Sequence, residues 1–580
     1  MRSLRAAYVF DEEARKQAHG KGENFWWAYI AEILDRLGLT ADRVSPEGLS
    51  EQLPGLSLLL IGDQDASGWY GELEAWVRDG GVLIGCGTEG LDAVFGNRFV
   101  ESLPQRNGPF SLSGAFSLRP SPFTRGIACP LHPQQPLLMA SPIRQVRAVG
   151  SEELGEMDGG AAVTARRYGK GWAFYWAFDP AQTCWVIHQG RPVDRDWDGD
   201  GQLRAGDGIV IEDNEPEVPY TDQVMFLLQK MVGVLPIPLI HQLPPCPDGS
   251  VPDAVLFYGG DDEGDPAVNG PAFEFMNTRG LPYHINAMPD SDGRFVVTPA
   301  EGEAMEQGGT EISLHYDFVR GFEHPCGFTK EDMDTQTDWF IQAFGRAPVC
   351  ANAHYLRWTG WHEPALWMRA RGIKAFNGKV HRKSPPMNPV DMVGFSFGTA
   401  FPFHYWTDHT LANKRLDFLD LPIVAYECGY RDKETTDFPV LERAIQVAAH
   451  YQMILNVFFH PVYIAQYPAC RKGIDWLLKR IRERGLNVMH SAPDQVTQWW
   501  LARSESRIED VRADAGSLDF TVACSYPAGI VVKVPLGRRK VRGCSSPFQV
   551  KEALSARWAM IPVPQGETRV TLQLKGEHIG

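Results

Sequence analysis

Apolar and polar positions along this chain change rhythm twice. From residue 1 to about 240, short apolar runs alternate with stretches of helical period. SLRAAYVF, LSLLLIGD, VLIGCG and GKGWAFYWAFD read as strands, and ENFWWAYIAEILDRLGL and GWYGELEAWVRDGG as amphipathic helices stopped by glycines. That alternation predicts a parallel sheet with helices on both faces. The proline-rich passage LPIPLIHQLPPCPDGSVP can continue neither helix nor central strand, so it predicts a linker.

From Asp253 to about Ala502 the alternation resumes. VLFYG, LPYHINAM, EISLHY, VCANAHY, IKAFNG, PIVAYE, LNVFFHP and LNVMHS are strand candidates, separated by helical passages such as KEDMDTQTDWFIQAFG and YRDKETTDFPVLERAIQVAAHYQ. Strands spaced this way predict a distorted β/α barrel. After Arg503 the runs shorten (SLDFTVACSY, GIVVKVPLG, TRVTLQL), which predicts a small antiparallel β-sandwich. The expected fold class is α/β in three domains: 1–240 doubly wound, 250–502 barrel and 503–580 sandwich.

A length of 580 residues suits several cores rather than one. The net charge of −16 repels nucleic acid and anionic lipid, so neither is an expected partner. No apolar stretch approaches the roughly 18 residues that cross a bilayer. The opening MRSLRAAYVFDEEA lacks the features of a secretory signal, and the ten cysteines are scattered without a CxxC pair. Both point to reduced thiols and a cytoplasmic location.

Candidate chemistry concentrates at the C-terminal ends of the barrel strands, where active sites of such barrels gather. Read in order, these ends carry Asp261 and Asp262, His284 and Asn286, His315 and Asp317, His354 and Arg357, Asn377, Glu427 and His460. Each alone reads as a buried, hydrogen-bonded residue; together they would form a site. Adjacent carboxylates could divide the work, one as proton acceptor and one as metal ligand. WTGWHEPALW and FPFHYWTDH add Trp358, Trp361, His404 and Trp406 as candidate carbohydrate contacts, with His284. No P-loop, dinucleotide fingerprint or GxSxG elbow occurs.

A second acidic motif, DRDWDGDGQLRAGDG, places Asp196, Asp198, Asp200 and Asp207 at positions 1, 3, 5 and 12, with Gly201 at position 6. Alternate oxygens can converge on one calcium ion there, with glycine permitting the sharp turn. It resembles an EF-hand or dockerin-type loop, and a structural calcium is the expectation.

The first region resembles the class I glutamine amidotransferase-like fold, including the domain in the middle of some β-galactosidases. WVRDGGVLIGCG carries that resemblance and sets Cys86 near the nucleophile position. The place of the partner base reads AFDPAQ, around Asp179, without histidine, so a packed thiol is the better reading. Use of this domain type in assembly implies a homo-oligomer.

Residues 253–502 resemble the polysaccharide deacetylase family (the NodB homology domain). GGDDEG, ISLHYD, NAHYLRWTGW and NVFFHP stand in the places of its motifs. The resemblance implies Asp261 as catalytic base and Asp262 and His315 as ligands of a zinc-like ion. It also implies His460 as acid and Arg357 as the residue orienting the base. The family's second histidine is replaced by Val319, and His354, His324 or Asp317 could supply the missing ligand. The expected function is hydrolysis on carbohydrate, metal-dependent deacetylation of an amino sugar or acylated glycan. The alternatives are a glycoside hydrolase with Glu427 as acid or nucleophile, and a non-catalytic carbohydrate-binding or scaffold protein.

Overall fold

The computed structural model describes residues 2–211, 214–322, 327–380, 392–429 and 438–576; His324 and part of the helical passage before Phe438 lie outside them. In the first region, β1 (Ala6–Val9), β2 (Leu58–Ile61), β3 (Val82–Cys86) and β4 (Gly171–Trp176) pair in parallel. β2 and β3 are apolar along nearly their whole length and buried on both faces, as covered parallel strands must be. Past β4 the sheet continues antiparallel through Gly160–Tyr168 and Glu152–Met157, an extension the strand–helix alternation did not announce.

The helix Ile30–Leu37 stops at Gly38, whose φ of 74° suits glycine. A Cβ there would sit 1.9 Å from the Ile240 carbonyl oxygen. The proline-rich passage is therefore packed, not a free linker. Leu239–Ile240 pairs with Ile530–Pro535, and the carbonyls of His241 and Gln242 receive Arg503 and Trp499. Its prolines keep the chain extended, while the apolar residues between them are buried.

The barrel comprises β5 (Ala254–Asp261), β6 (Tyr283–Ala287), β7 (Thr310–Tyr316), β8 (Cys350–Ala353), β9 (Ala375–Phe376), β10 (Arg415–Asp420), β11 (Ile423–Tyr426) and β12 (Ile454–Phe458). They run in parallel in the order β11-β12-β5-β6-β7-β8-β9-β10. β10 and β11 stand at opposite ends of this run, yet only Leu421 and Pro422 separate them in sequence. The sheet must therefore curl until its ends meet. Asn456 of β12 reaches Asn377, just past β9, across the interior at 2.6 Å. β10 escaped the sequence reading because RLDFLD lacks a continuous apolar run. The last expected strand, Val488–Ser491, lies beside the first half of β5.

Residues beyond 506 form antiparallel sheets of five and four strands, and each borrows a strand from elsewhere: Arg2–Ser3 joins Arg507–Ala513, and Leu239–Ile240 joins the other. The boundary expected at 503 is thus crossed by pairing with the beginning and the end of the first region. Among the described residues, every cysteine is a free thiol, and no helix is long and apolar enough to cross a membrane.

Candidate active site

β5 delivers its acids through a constriction. A Cβ on Gly260 would lie 2.0 Å from the Phe459 carbonyl oxygen and 2.7 Å from the Tyr283 hydroxyl, so only glycine lets β5 pass the end of β12 this closely. The next residue, Asp261, is buried between two amides. Asn286 Nδ2 donates to its Oδ1 at 2.8 Å, and Asn352 Nδ2 reaches Oδ1 and Oδ2 at 3.1 and 3.2 Å. His315 Nδ1 stands 3.6 Å from Oδ1, and His460 Nε2 3.7 Å from Oδ2. The structure thus brings Asp261, His315 and His460 together, and His354 joins them.

The residue at the centre is Glu263, which the sequence reading passed over. Its Oε2 lies 2.8 Å from His354 Nε2, and its Oε1 lies 3.3 Å from His460 Nε2 and 3.7 Å from His315 Nε2. Glu263 has φ 53°, a left-handed conformation that is strained for a non-glycine residue and turns its side chain back toward the strand ends. Burial alone would raise its carboxyl, but the three imidazoles hold it well below the usual carboxylate range. The signal was present in GGDDEG as a third acid, two residues after Asp261 and so on the same face of an ideal strand.

Asp262, expected as a ligand, is turned away. Its Oδ1 accepts N–H groups of Gly264 and Met288 at 3.0 and 2.9 Å, and its Oδ2 that of Asn269 at 3.2 Å. Fully buried, it fastens the turn after β5, and burial pushes its carboxyl up to about 6. Successive residues of a strand point to opposite sides, so two adjacent aspartates do not share one pocket.

Glu427 sits behind His460. Its Oε1 accepts from the backbone N–H and from Nδ1 of His460 at 2.8 and 2.5 Å, and its side chain is fully buried. An acid so placed orients an imidazole and has no access to substrate. Burial works against charge on His460, but Glu427, with Glu263 and Asp261, raises this imidazole well above its ordinary value. His354 faces Asp317 Oδ1 at 3.5 Å; burial lowers it, while Asp317 and Glu263 together raise it to about 9. Arg357, expected beside the base, is buried at an isolated bridge with Arg204, and the two amides on Asp261 come from Asn286 and Asn352.

A metal fits this arrangement at one set of donors. Glu263, His315 and His354 offer ligand atoms within 4.8 Å of one another, and Asp261, Glu263 and His460 form an overlapping group. His315 is fully buried, and neither of its ring nitrogens has a hydrogen-bond partner among the described residues. Burying such groups unmet is costly, so an electrophile between them would answer the deficit. Two imidazoles and one carboxylate, with a position left open, make a set used by catalytic zinc.

The expected carbohydrate contacts are interior. Trp361 stacks on Trp185 and donates to the Gly190 carbonyl; Trp358 stacks on Tyr405; Trp406 reaches Glu32; His404 faces the Leu416 carbonyl. All four are buried, joining the barrel to the first region or packing its wall. His284 is buried as well. Tyr355, directly after His354, is 51% exposed, on a turn where it and Leu356 both have positive φ. Arg204 lies 5.2 Å from its ring, on a segment from the first region that bridges Arg357 and Gly360.

That segment contains the acidic loop. Asp196 accepts from the N–H groups of Gly199, Asp200 and Gly201, Asp198 from Asp200, and Asp200 from Gln202. Asp207, buried, accepts from Trp197 and Arg204, and Arg204 pairs with Asp200 at 3.0 Å. Gly201 has φ 86°, the sharp turn that position 6 requires.

No protein-family model matches this chain, and no curated protein matches it. Among solved structures it is similar to a β-galactosidase from Rahnella sp. R3, at 18% identity over 32% of this chain and 30% of that one, TM-score 0.25. It is similar to a protein from Mycobacterium smegmatis assigned as a polysaccharide deacetylase, at 13% identity over 45% of this chain and 96% of that one, TM-score 0.31. Puue allantoinase aligns at 13% identity over 43% of this chain and 90% of that one, TM-score 0.30. The match spans under a third of the galactosidase's length.

Proposed function

We propose that this protein is a carbohydrate-active hydrolase, and that its barrel removes an acyl group from an amino sugar or acylated glycan with the help of a divalent metal. The observation that carries this reading is the buried His315, with no hydrogen-bond partner on either nitrogen among the described residues, beside Glu263, His354 and Asp261. In this reading Glu263, His315 and His354 hold the ion: Glu263 stands in for the ligand expected at Asp262, and His354 supplies the one missing at Val319. When bound, the ion would polarise an acyl carbonyl and acidify water.

The chain's own residues then take defined parts. Asn286 and Asn352 fix the Asp261 carboxylate so that it can accept a proton from attacking water. Glu427 keeps His460 charged and aimed at the pocket, where it can protonate the leaving amine or alcohol. Tyr355, exposed beside His354, offers a face on which a sugar ring can stack. In the glycosidase scheme Glu427 drops out as acid or nucleophile, because it is sealed behind His460. In the loop 196–207 we retain calcium in a structural role, supported by the spacing of its acids and the turn at Gly201.

The test is elemental analysis of the purified protein with acetate release from acetylated oligosaccharides, before and after chelation. The reading requires a barrel ion besides calcium, and activity lost on chelation and restored by the ion. Full activity after complete removal of barrel metal would overturn it.

A further inference from the structure

We propose that His284 is a buried imidazolium and acts as a positioning residue for Asp261, through Asn286. This deepens the proposed function, since it rests on Asp261 as the base. Parallel register sets the line of contact: Asp261 of β5 lies opposite Asn286 of β6, and His284 of β6 opposite Glu311 of β7. His284 Nε2 meets Asn286 Oδ1 at 2.9 Å and Nδ1 meets Glu311 Oε2 at 2.9 Å, while Asn286 Nδ2 donates to Asp261 at 2.8 Å.

Donor bookkeeping fixes the charge. Asp261 accepts from the Asn286 amide, which therefore turns its NH2 toward Asp261 and its oxygen toward His284. Nε2 must then carry a proton. At the other nitrogen, both oxygens of Glu311 accept backbone N–H groups, from Asp494 at 2.8 Å and Gln495 at 3.1 Å, in the first turn of the helix Pro493–Glu505. With both oxygens already accepting, Glu311 presents an acceptor to Nδ1, so Nδ1 donates too. A ring that donates from both nitrogens is an imidazolium.

Its surroundings suit that charge. Asp494 supplies a second carboxyl 3.7 Å from Nδ1, and Cys350 of β8, near Asp494, contacts Thr497 at 3.1 Å. Arg346, which with His284 acts as a cation on Asp494, also meets Glu306 and the Ile312 carbonyl. Burial alone would lower His284; Glu311 and Asp494 reverse this and raise it. A neutral ring with its proton on Nδ1 would set a lone pair against the Asn286 oxygen. The amide would flip, and its oxygen would face Asp261. His284 is fully buried and touches no substrate; it acts by holding that amide in the productive orientation.

The test uses the full chain labelled with nitrogen-15 at histidine. In the wild type, both His284 ring nitrogens should show imidazolium shifts at pH 7.5, assigned by their loss in His284→Gln. Glu311→Gln, a change at a half-buried position, should convert the same ring to a neutral tautomer at that pH. A neutral His284 in the wild type, or a ring unmoved by Glu311→Gln, overturns the proposal. In parallel, His284→Gln should lower kcat on acetylated oligosaccharide about tenfold or more, with KM and metal content unchanged; kcat within twofold also overturns it. If no acylated glycan is turned over, the functional reading falls, and the ring-nitrogen measurement still decides the charge of His284.

Discussion

The chain builds two sheets with runs of parallel strands, and in both those strands end in polar residues of the kind that do chemistry. In the first region, β3 ends on Cys86, and Asp179 follows β4. In the barrel, β5 ends on Asp261, with imidazoles at the ends of other strands. The difference lies in what each group already holds. Cys86 is fully buried, and burial, with Asp179 nearby, raises its thiol well above the ordinary value. The Asp179 carboxyl is occupied, capping the helix Pro180–Gln189 through the N–H of Ala181. His315 is as deeply buried and has no such partner. Polar residues satisfied by their own backbone build structure; polar residues left facing one another build a site.

The sharpest way to break this contrast is His315→Ala. It should remove the barrel ion and cut activity by several kcal/mol of transition-state stabilisation, about 10³-fold, read by elemental analysis and acetate release. Glu427→Gln should lower kcat about 10²-fold with the ion retained, because the proton donor loses its orienting anion. An enzyme losing metal as well would place Glu427 among the ligands.

Smaller effects follow at the rim. Tyr355→Ala should raise KM for oligosaccharides about fivefold to tenfold, the worth of about 1 kcal/mol of stacking, and leave small acyl esters unaffected. On the other sheet, Cys86→Ala should leave activity within about twofold of wild type, as a thiol kept protonated by burial cannot attack.

The smallest effect concerns Asp179, which burial pushes up to about 7. A carboxyl whose folded pKa is raised contributes stability below its unfolded value near 3.9 and loses it as pH climbs through the folded one. Thermal stability should therefore decline between about pH 4 and 7. Asp179→Asn keeps the helix cap and should make that decline shallower, though buried Asp222 and Asp420, both pushed up to about 6, still titrate in that window.

Much of the architecture was legible in advance. All eight apolar runs of the second region became strands, because continuous hydrophobic stretches between polar helices have few other places to go. Gly38 stopped its helix as read. The site was legible in part: Asp261, His315, His354 and His460 meet, whereas Asp262 does not join them and Glu263 does. One residue of register separates those two acids, and a turn with positive φ decided which faced inward.

Position in the chain, then, settled which continuous apolar runs become strands and that acids and imidazoles would stand at their ends. Only the folded chain decided which side chains were already spoken for: the indoles absorbed between regions, Glu427 behind His460, His284 beneath Asn286. The reason is physical. Strand formation depends on local periodicity, but whether a buried polar group has a partner depends on segments scores to hundreds of residues apart meeting at hydrogen-bond distance.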